Sequence, residues 1–175
     1  YGKAGDDDKY AFFHKRQLVQ KILLNSLYGV LGLPAFRFYD VDNATAVTTT
    51  GQTVIKSTAD MANIKYNKEL NTPDLDSNIY IDTDSVFFSA VPLMDKRFPN
   101  WKDEEQDTIA GYVNDIAEEM QDYLNDFYDI LSKKIFNVDV DKHRLEIKKE
   151  YVAKAGLWIA KKRYAQWIIS DNGVP

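Results

Sequence analysis

Cysteine is absent from the 175 residues, which excludes both a disulfide scaffold and any thiolate metal site. Histidine is nearly absent too. His14 and His143 lie far apart in the chain, which argues against an imidazole-rich zinc centre. No purely apolar run is longer than a few residues, so no membrane span is expected. The chain opens on Tyr1 rather than methionine and carries no signal-peptide pattern, so secretion is not expected and a stretch of a longer polypeptide is. What is present is ordinary for one globular domain. Hydrophobic residues make up 45% and charged residues 28%, which excludes disordered and collagen-like chains.

Net charge is −5, but it is unevenly spread. Residues 101–131 hold ten acids and one base, a net of −9. Residues 144–163 hold seven bases and two acids, a net of +5. A uniform pI near 5.1 would argue against a nucleic-acid partner. Segregated charge leaves room for a local basic site facing phosphates.

Hydrophobic spacing predicts a helix over about 10–30, with Val19, Ile22, Leu23, Leu27 and Val30 on one side and Gly32 and Pro34 ending it. Residues 1–9 read as a loop and 36–41 as extended. A second helix is expected from Asn43 to about Glu69, with Asp42 as N-cap and Gly51 as a weak point. Residues 79–89 read as two short strands around a polar turn, and 90–102, with Pro92 and Pro99, as irregular. A long helix from about Lys102 to Ile135 follows, with an apolar stripe through Ile116, Met120, Leu124, Leu131 and Ile135. Residues 144–152 and 157–169 read as strands joined near Lys154-Ala155-Gly156. The order predicts an α+β class, an antiparallel sheet with helices packed on one face.

Three constellations carry chemistry, and each has a plainer alternative. Asp82 and Asp84 stand at i, i+2 in an extended stretch, which points both carboxylates to one face. Unpaired like charges repel, and a hard cation such as magnesium relieves them, although Asp and Ser are also ordinary turn residues. His14, Gln17, Lys21, Asn25 and Tyr28 fall within about 80° on a helical wheel. A cation, an amide and a phenol in register suit a triphosphate and a base or sugar edge, but any amphipathic helix has a polar face. Lys161, Lys162, Arg163 and Tyr164 are predicted on a strand, with Lys162 and Tyr164 on one face and Lys161 and Arg163 on the other. Bases beside an aromatic fit a nucleic-acid backbone, and lysines equally protect an edge strand.

Taken together and in this order, the three segments resemble family B DNA polymerases. Arg16-Gln17 through Lys21, Asn25-Ser26 and Tyr28-Gly29 resembles that family's fingers motif. Asp82-Thr83-Asp84-Ser85 after Tyr80 resembles its palm metal motif, and Lys161-Lys162-Arg163-Tyr164 its duplex-binding motif. Phe36-Arg37-Phe38-Tyr39-Asp40, followed by Asn43-Ala44-Thr45-Ala46, is similar to the T-even bacteriophage branch. The resemblance runs from about residue 10 to residue 169.

It implies one fingers helix in residues 1–32 and a polymerase palm, without its first metal motif, in residues 33–175. It implies nucleotidyl transfer to a primer 3′ end with two Mg²⁺ ions. Asp84, with Asp82 beside it, would bind metal. Lys21 would hold the phosphates of the incoming dNTP, Asn25 would support it, and Tyr28 would lie under the nascent pair. Lys161, Lys162, Arg163 and Tyr164 would steady primer–template DNA, and Glu150 would be an active-site acid. The implied setting is a virus-encoded enzyme in the host cytoplasm. Its partners would be the remainder of the polymerase, in the same or a separate chain, and a sliding clamp. Two departures stand out. Ile81 replaces the glycine usual before the first aspartate, and no DxxSLYP segment for the second metal-ligand aspartate occurs here. This chain alone is therefore expected to be inactive. A non-catalytic DNA-binding palm, or another palm-type nucleotidyltransferase, is the alternative.

Overall fold

The computed structural model describes residues 7–171. Residues 1–6 of the expected loop lie outside these residues, and 7–9 are not loop but the first turn of a helix. Contacts divide the chain into two compact units, 1–52 and 53–175.

In the first unit, helix α1 spans Asp7–Leu31. The side carrying Val19, Ile22, Leu23 and Leu27 is exposed, as is the opposite polar side. Residues 36–41 do not form the extended stretch expected. Leu33, Phe36 and Tyr39 each donate a backbone N–H three residues back, so the connection is a run of tight turns. Helix α2, Val41–Leu70, then begins. Asp40, not Asp42, caps it, accepting the Asn43 backbone N–H at 2.9 Å. The threonine-rich stretch stays helical through Gly51, with the Thr48 and Thr49 hydroxyls turned back to carbonyls three and four residues earlier.

In the second unit, α2 buries Ile55, Thr58, Ala59, Ala62 and Tyr66, a stripe of helical spacing. Strands β1 (Asn78–Asp82) and β2 (Ser85–Phe88) form an antiparallel hairpin. The stretch expected to be irregular contains helix α3, Val91–Arg97, with Pro92 in its first turn, where a missing N–H costs nothing. A 3₁₀ turn, Trp101–Asp103, precedes helix α4, Gln106–Lys134. The core is Ala62 and Tyr66 from α2, Leu93 and Met94 from α3, and Ile116, Met120 and Leu124 from α4. Ile135, expected in the stripe, caps α4 and is exposed. Arg97 ties three helices together. Its guanidinium reaches Glu69 at 2.6 and 2.8 Å and Glu119 at 3.0 and 2.8 Å.

Residues 144–150 are not a strand. They run along α4 with alternately exposed and half-buried side chains, and helix side chains take the place of a partner strand. Asn125 accepts the Ile147 N–H at 2.9 Å and donates to its carbonyl at 3.1 Å, and Gln121 accepts the Lys149 N–H at 2.8 Å. His143 Nδ1 accepts the Leu145 N–H at 3.2 Å. The proton therefore sits on Nε2, which donates to Asp129 at 2.8 Å.

Strands β3 (Tyr151–Ala160) and β4 (Arg163–Asp171) pair antiparallel. The turn is Lys161-Lys162, and Lys154-Ala155-Gly156, expected at the turn, lies inside β3. The class is α+β as predicted, with the strands forming two separate two-stranded sheets.

Candidate active-site hairpins

Local geometry of the first hairpin starts at Asn63 on α2. Its amide oxygen accepts the Ser77 N–H at 2.9 Å and the Ser77 hydroxyl at 2.8 Å, while Asn78 donates to the Ala59 carbonyl at 3.2 Å. These bonds fix where β1 begins. From the other end, Tyr66 packs edge-on to Phe88 at 5.8 Å, seating β2 on the core. The acidic turn is thus carried on a braced element.

Asp82 ends β1 with its side chain 15% exposed. Asp84 has left the strand and is exposed on the turn, so the two carboxylates do not share a strand face as the spacing predicts. Between them, Thr83 has φ 46, and the Asp84 N–H donates to the Asp82 carbonyl at 2.5 Å. That is a γ-turn with a β-branched residue at positive φ, a strained conformation. The Thr83 hydroxyl donates to Asp82 Oδ1 at 3.1 Å, and the Ser85 hydroxyl to the Asp82 carbonyl at 3.1 Å.

The basic turn meets this hairpin. Lys162 Nζ lies 3.5 Å from Asp82 Oδ1, and the Lys162 backbone N–H donates to the Tyr80 hydroxyl at 2.8 Å. Lys161 and Lys162 form the turn rather than part of a strand, and Lys162 has φ 62. Arg163 opens β4 opposite Ala160 and is exposed. Tyr164 follows, its ring 5.6 Å from Tyr80 and 5.8 Å from Phe87. Trp158 and Tyr151 complete the aromatic seam, each 6.1 Å from Phe87. Burial raises the Tyr151 hydroxyl above its ordinary pKa, and the charge of exposed Glu150 adds to the rise.

Sequence reasoning assigned no role to Tyr80, Phe87, Tyr151 or Trp158. A signal existed for Tyr80, because period two puts it on the same face of β1 as Asp82. Conversely, not every base of the 144–163 stretch is available to a ligand. Lys149 is 13% exposed and reaches Asn114 at 2.9 Å and Glu118 at 3.3 Å on α4.

Lys21 and Asn25 are exposed along α1 of the first unit, with His14 stacked on Tyr10 at 5.8 Å. Tyr28 is half-exposed, and its hydroxyl donates to the Ala44 carbonyl at 3.3 Å. Among the described residues no group of three His, Cys, Asp or Glu side chains could hold a metal ion. No helix among them is long and apolar enough to cross a membrane.

The sequence is 35% identical over 162 residues to the DNA-directed DNA polymerase of Enterobacteria phage T4, a match covering 85% of this chain and 17% of that protein. It is 31% identical over 158 residues to the DNA-directed DNA polymerase of Escherichia phage RB69, with the same two shares. It is 27% identical over 157 residues to the DNA polymerase alpha catalytic subunit of Mus musculus, covering 90% of this chain and 8% of that protein. The chain therefore spans about a sixth of the length of its phage relatives. A family model for DNA polymerase family B matches residues 2–98, which include the α1 stripe and the whole acidic hairpin. With more than half its length matched in this way, the chain belongs to DNA polymerase family B.

Proposed function

We propose that this chain forms part of the polymerising centre of a template-directed DNA polymerase, which adds dNTPs to a primer 3′ end. The observation that carries the reading is the 3.5 Å approach of Lys162 to Asp82, residues from two hairpins far apart in sequence. It sets a cationic, aromatic-backed turn beside a carboxylate turn, as a site joining duplex phosphates to a metal-dependent reaction requires. Residues 1–32 would be the fingers portion and 33–175 the palm portion.

Asp84 and Asp82 would hold Mg²⁺. Their oxygens are the hard donors that the ion takes, but two carboxylates do not complete the octahedral shells of two ions. Further ligands would come from water, substrate phosphates and a carboxylate outside this chain, so residues 1–175 alone are expected to be inactive. When bound, the ions would activate the primer hydroxyl and neutralise charge on the leaving pyrophosphate.

The remaining work falls to this chain's own side chains. Lys21 would bind the nucleotide phosphates, with Asn25 one turn along the same helix face. Tyr28, tethered through its hydroxyl to Ala44, would present its ring to the nascent pair. Lys161, Lys162 and Arg163 would meet the primer–template backbone, with Tyr164 buttressing the turn. Glu150, next to the aromatic seam, would add negative charge near the metal-facing side. The phage relatives support a virus-encoded setting; the enzyme would work in a host cytoplasm, with the remainder of the polymerase and a sliding clamp as partners.

The test is Asp84→Ala in the complete polymerase. Primer extension should be abolished while primer–template affinity in EDTA is unchanged. Extension at the parental rate would overturn the metal role.

A further inference from the structure

Tyr80 accepts the Lys162 backbone N–H at 2.8 Å, a bond that crosses from β1 to the β3–β4 turn. The phenol ring has little freedom, with Tyr164 5.6 Å and Phe87 5.9 Å away. Its oxygen is therefore a fixed point. Lys162 needs one, because its φ of 62 is a left-handed conformation that a side-chain-bearing residue adopts only when its surroundings enforce it. Holding that N–H fixes the Lys162 Cα and so the origin of a long, 65% exposed side chain whose ammonium comes 3.5 Å from Asp82. A flexible lysine is a poor positioning device unless its stem is anchored.

We propose that Tyr80 is a positioning residue for Lys162: through the Lys162 backbone N–H, its hydroxyl aims the Lys162 ammonium at the primer–template backbone beside the acidic turn. The proposal rests on the reading that Lys162 faces duplex DNA.

The experiment is a double-substitution cycle in the complete polymerase. It measures affinity for a fluorescently labelled primer–template in EDTA across a salt series. Lys162→Ala alone tests the reading. Losing one phosphate contact should weaken binding and flatten the dependence of log K on log salt by about 0.9. Tyr80→Phe tests the proposal, since it removes the hydroxyl and keeps the ring. It should weaken binding about three- to tenfold, the range of one hydrogen bond, and flatten the salt dependence toward that of Lys162→Ala. In the Lys162→Ala background, Tyr80→Phe should change neither quantity. Equal weakening by Tyr80→Phe in both backgrounds would mean a general structural role and would overturn the proposal. So would an unchanged salt slope in the parental background. If Lys162→Ala itself leaves affinity and slope unchanged, the reading fails and the proposal with it. Any loss of fold stability in Tyr80→Phe is common to both backgrounds and cancels in the comparison.

Discussion

Gly156→Ala should destabilise this protein even though the position is exposed and in a strand, where replacing glycine ordinarily helps. Gly156 pairs with Gln166, and Trp158, two residues on, folds its ring back over it. A Cβ at Gly156 would overlap Trp158 Cη2 and Cζ3 and stand 3.1 Å from Cζ2. Retreat of the ring is hindered by Phe87 and Tyr164, 6.1 and 6.4 Å away, and its Nε1 is buried. Forcing it aside is overpacking, which costs about 1–3 kcal/mol. Against that stands the gain of about 0.5–1 kcal/mol from stiffening the unfolded chain. The net expectation is a loss of about 1 kcal/mol, the middle of the resulting range of about 0–2.5 kcal/mol. Gly111 on α4 is the control, because a Cβ there meets nothing within 4 Å. Gly111→Ala should gain about 0.5–1 kcal/mol. Urea unfolding followed by far-ultraviolet circular dichroism measures both, with the change read in the midpoint at constant slope. In a Trp158→Leu background the penalty of Gly156→Ala should vanish. A Gly156→Ala chain as stable as its parent would refute the steric argument.

Two further outcomes follow from strain and from charge. Thr83→Gly relieves a positive φ at a β-branched residue and should stabilise the chain by about 0.5–1 kcal/mol, less whatever the bond to Asp82 contributes; a lower urea midpoint would contradict it. Arg97→Met removes hydrogen bonds that hold the Glu69 and Glu119 carboxyls below their ordinary pKa. Carboxyls depressed in the folded state stabilise it above their unfolded pKa of about 4.3 and lose that contribution as pH falls through the folded value. The substitution should cost about 1–2 kcal/mol at neutral pH, the lower part of the range for charged hydrogen bonds because the carboxyls are partly exposed. The deficit should shrink as pH falls below about 4, and a deficit independent of pH would rule out the ionic account.

The three long helices were legible because their signal is local, whereas the short α3 was hidden by Pro92 and Pro99. The stripe through Ile116, Met120 and Leu124 repeats at helical spacing, and it is buried as that spacing requires. The acidic hairpin was legible for the same reason, with two apolar runs flanking polar residues that suit a turn. The basic hairpin was misread in register. Lys154-Ala155-Gly156 looks like a turn by composition, but Gly156 is a strand residue that makes room for a tryptophan ring. Lys161-Lys162 does not look like a turn, and Lys162 takes its left-handed conformation where a distant tyrosine holds its backbone.

Residues 143–150 show the same limit from another side. Their alternation is a strand pattern, and every second side chain is half-buried. The hydrogen bonds come from amide side chains of α4, which no local pattern announces.

By itself, then, the sequence determined the three long helices, the acidic hairpin, the α+β class and the family to which the chain belongs, while it missed helix α3 and read 36–41 as extended and 144–150 as a strand. Each feature it determined depends on residues close together in the chain. The tertiary structure alone decided that Asp84 leaves the strand while Asp82 stays on it, and that Lys149 serves α4. It also decided that Tyr80 reaches across 82 residues to fix Lys162. Such contacts are set by how separately formed elements pack, and a side chain's neighbours across a fold are not encoded in its neighbours along the chain.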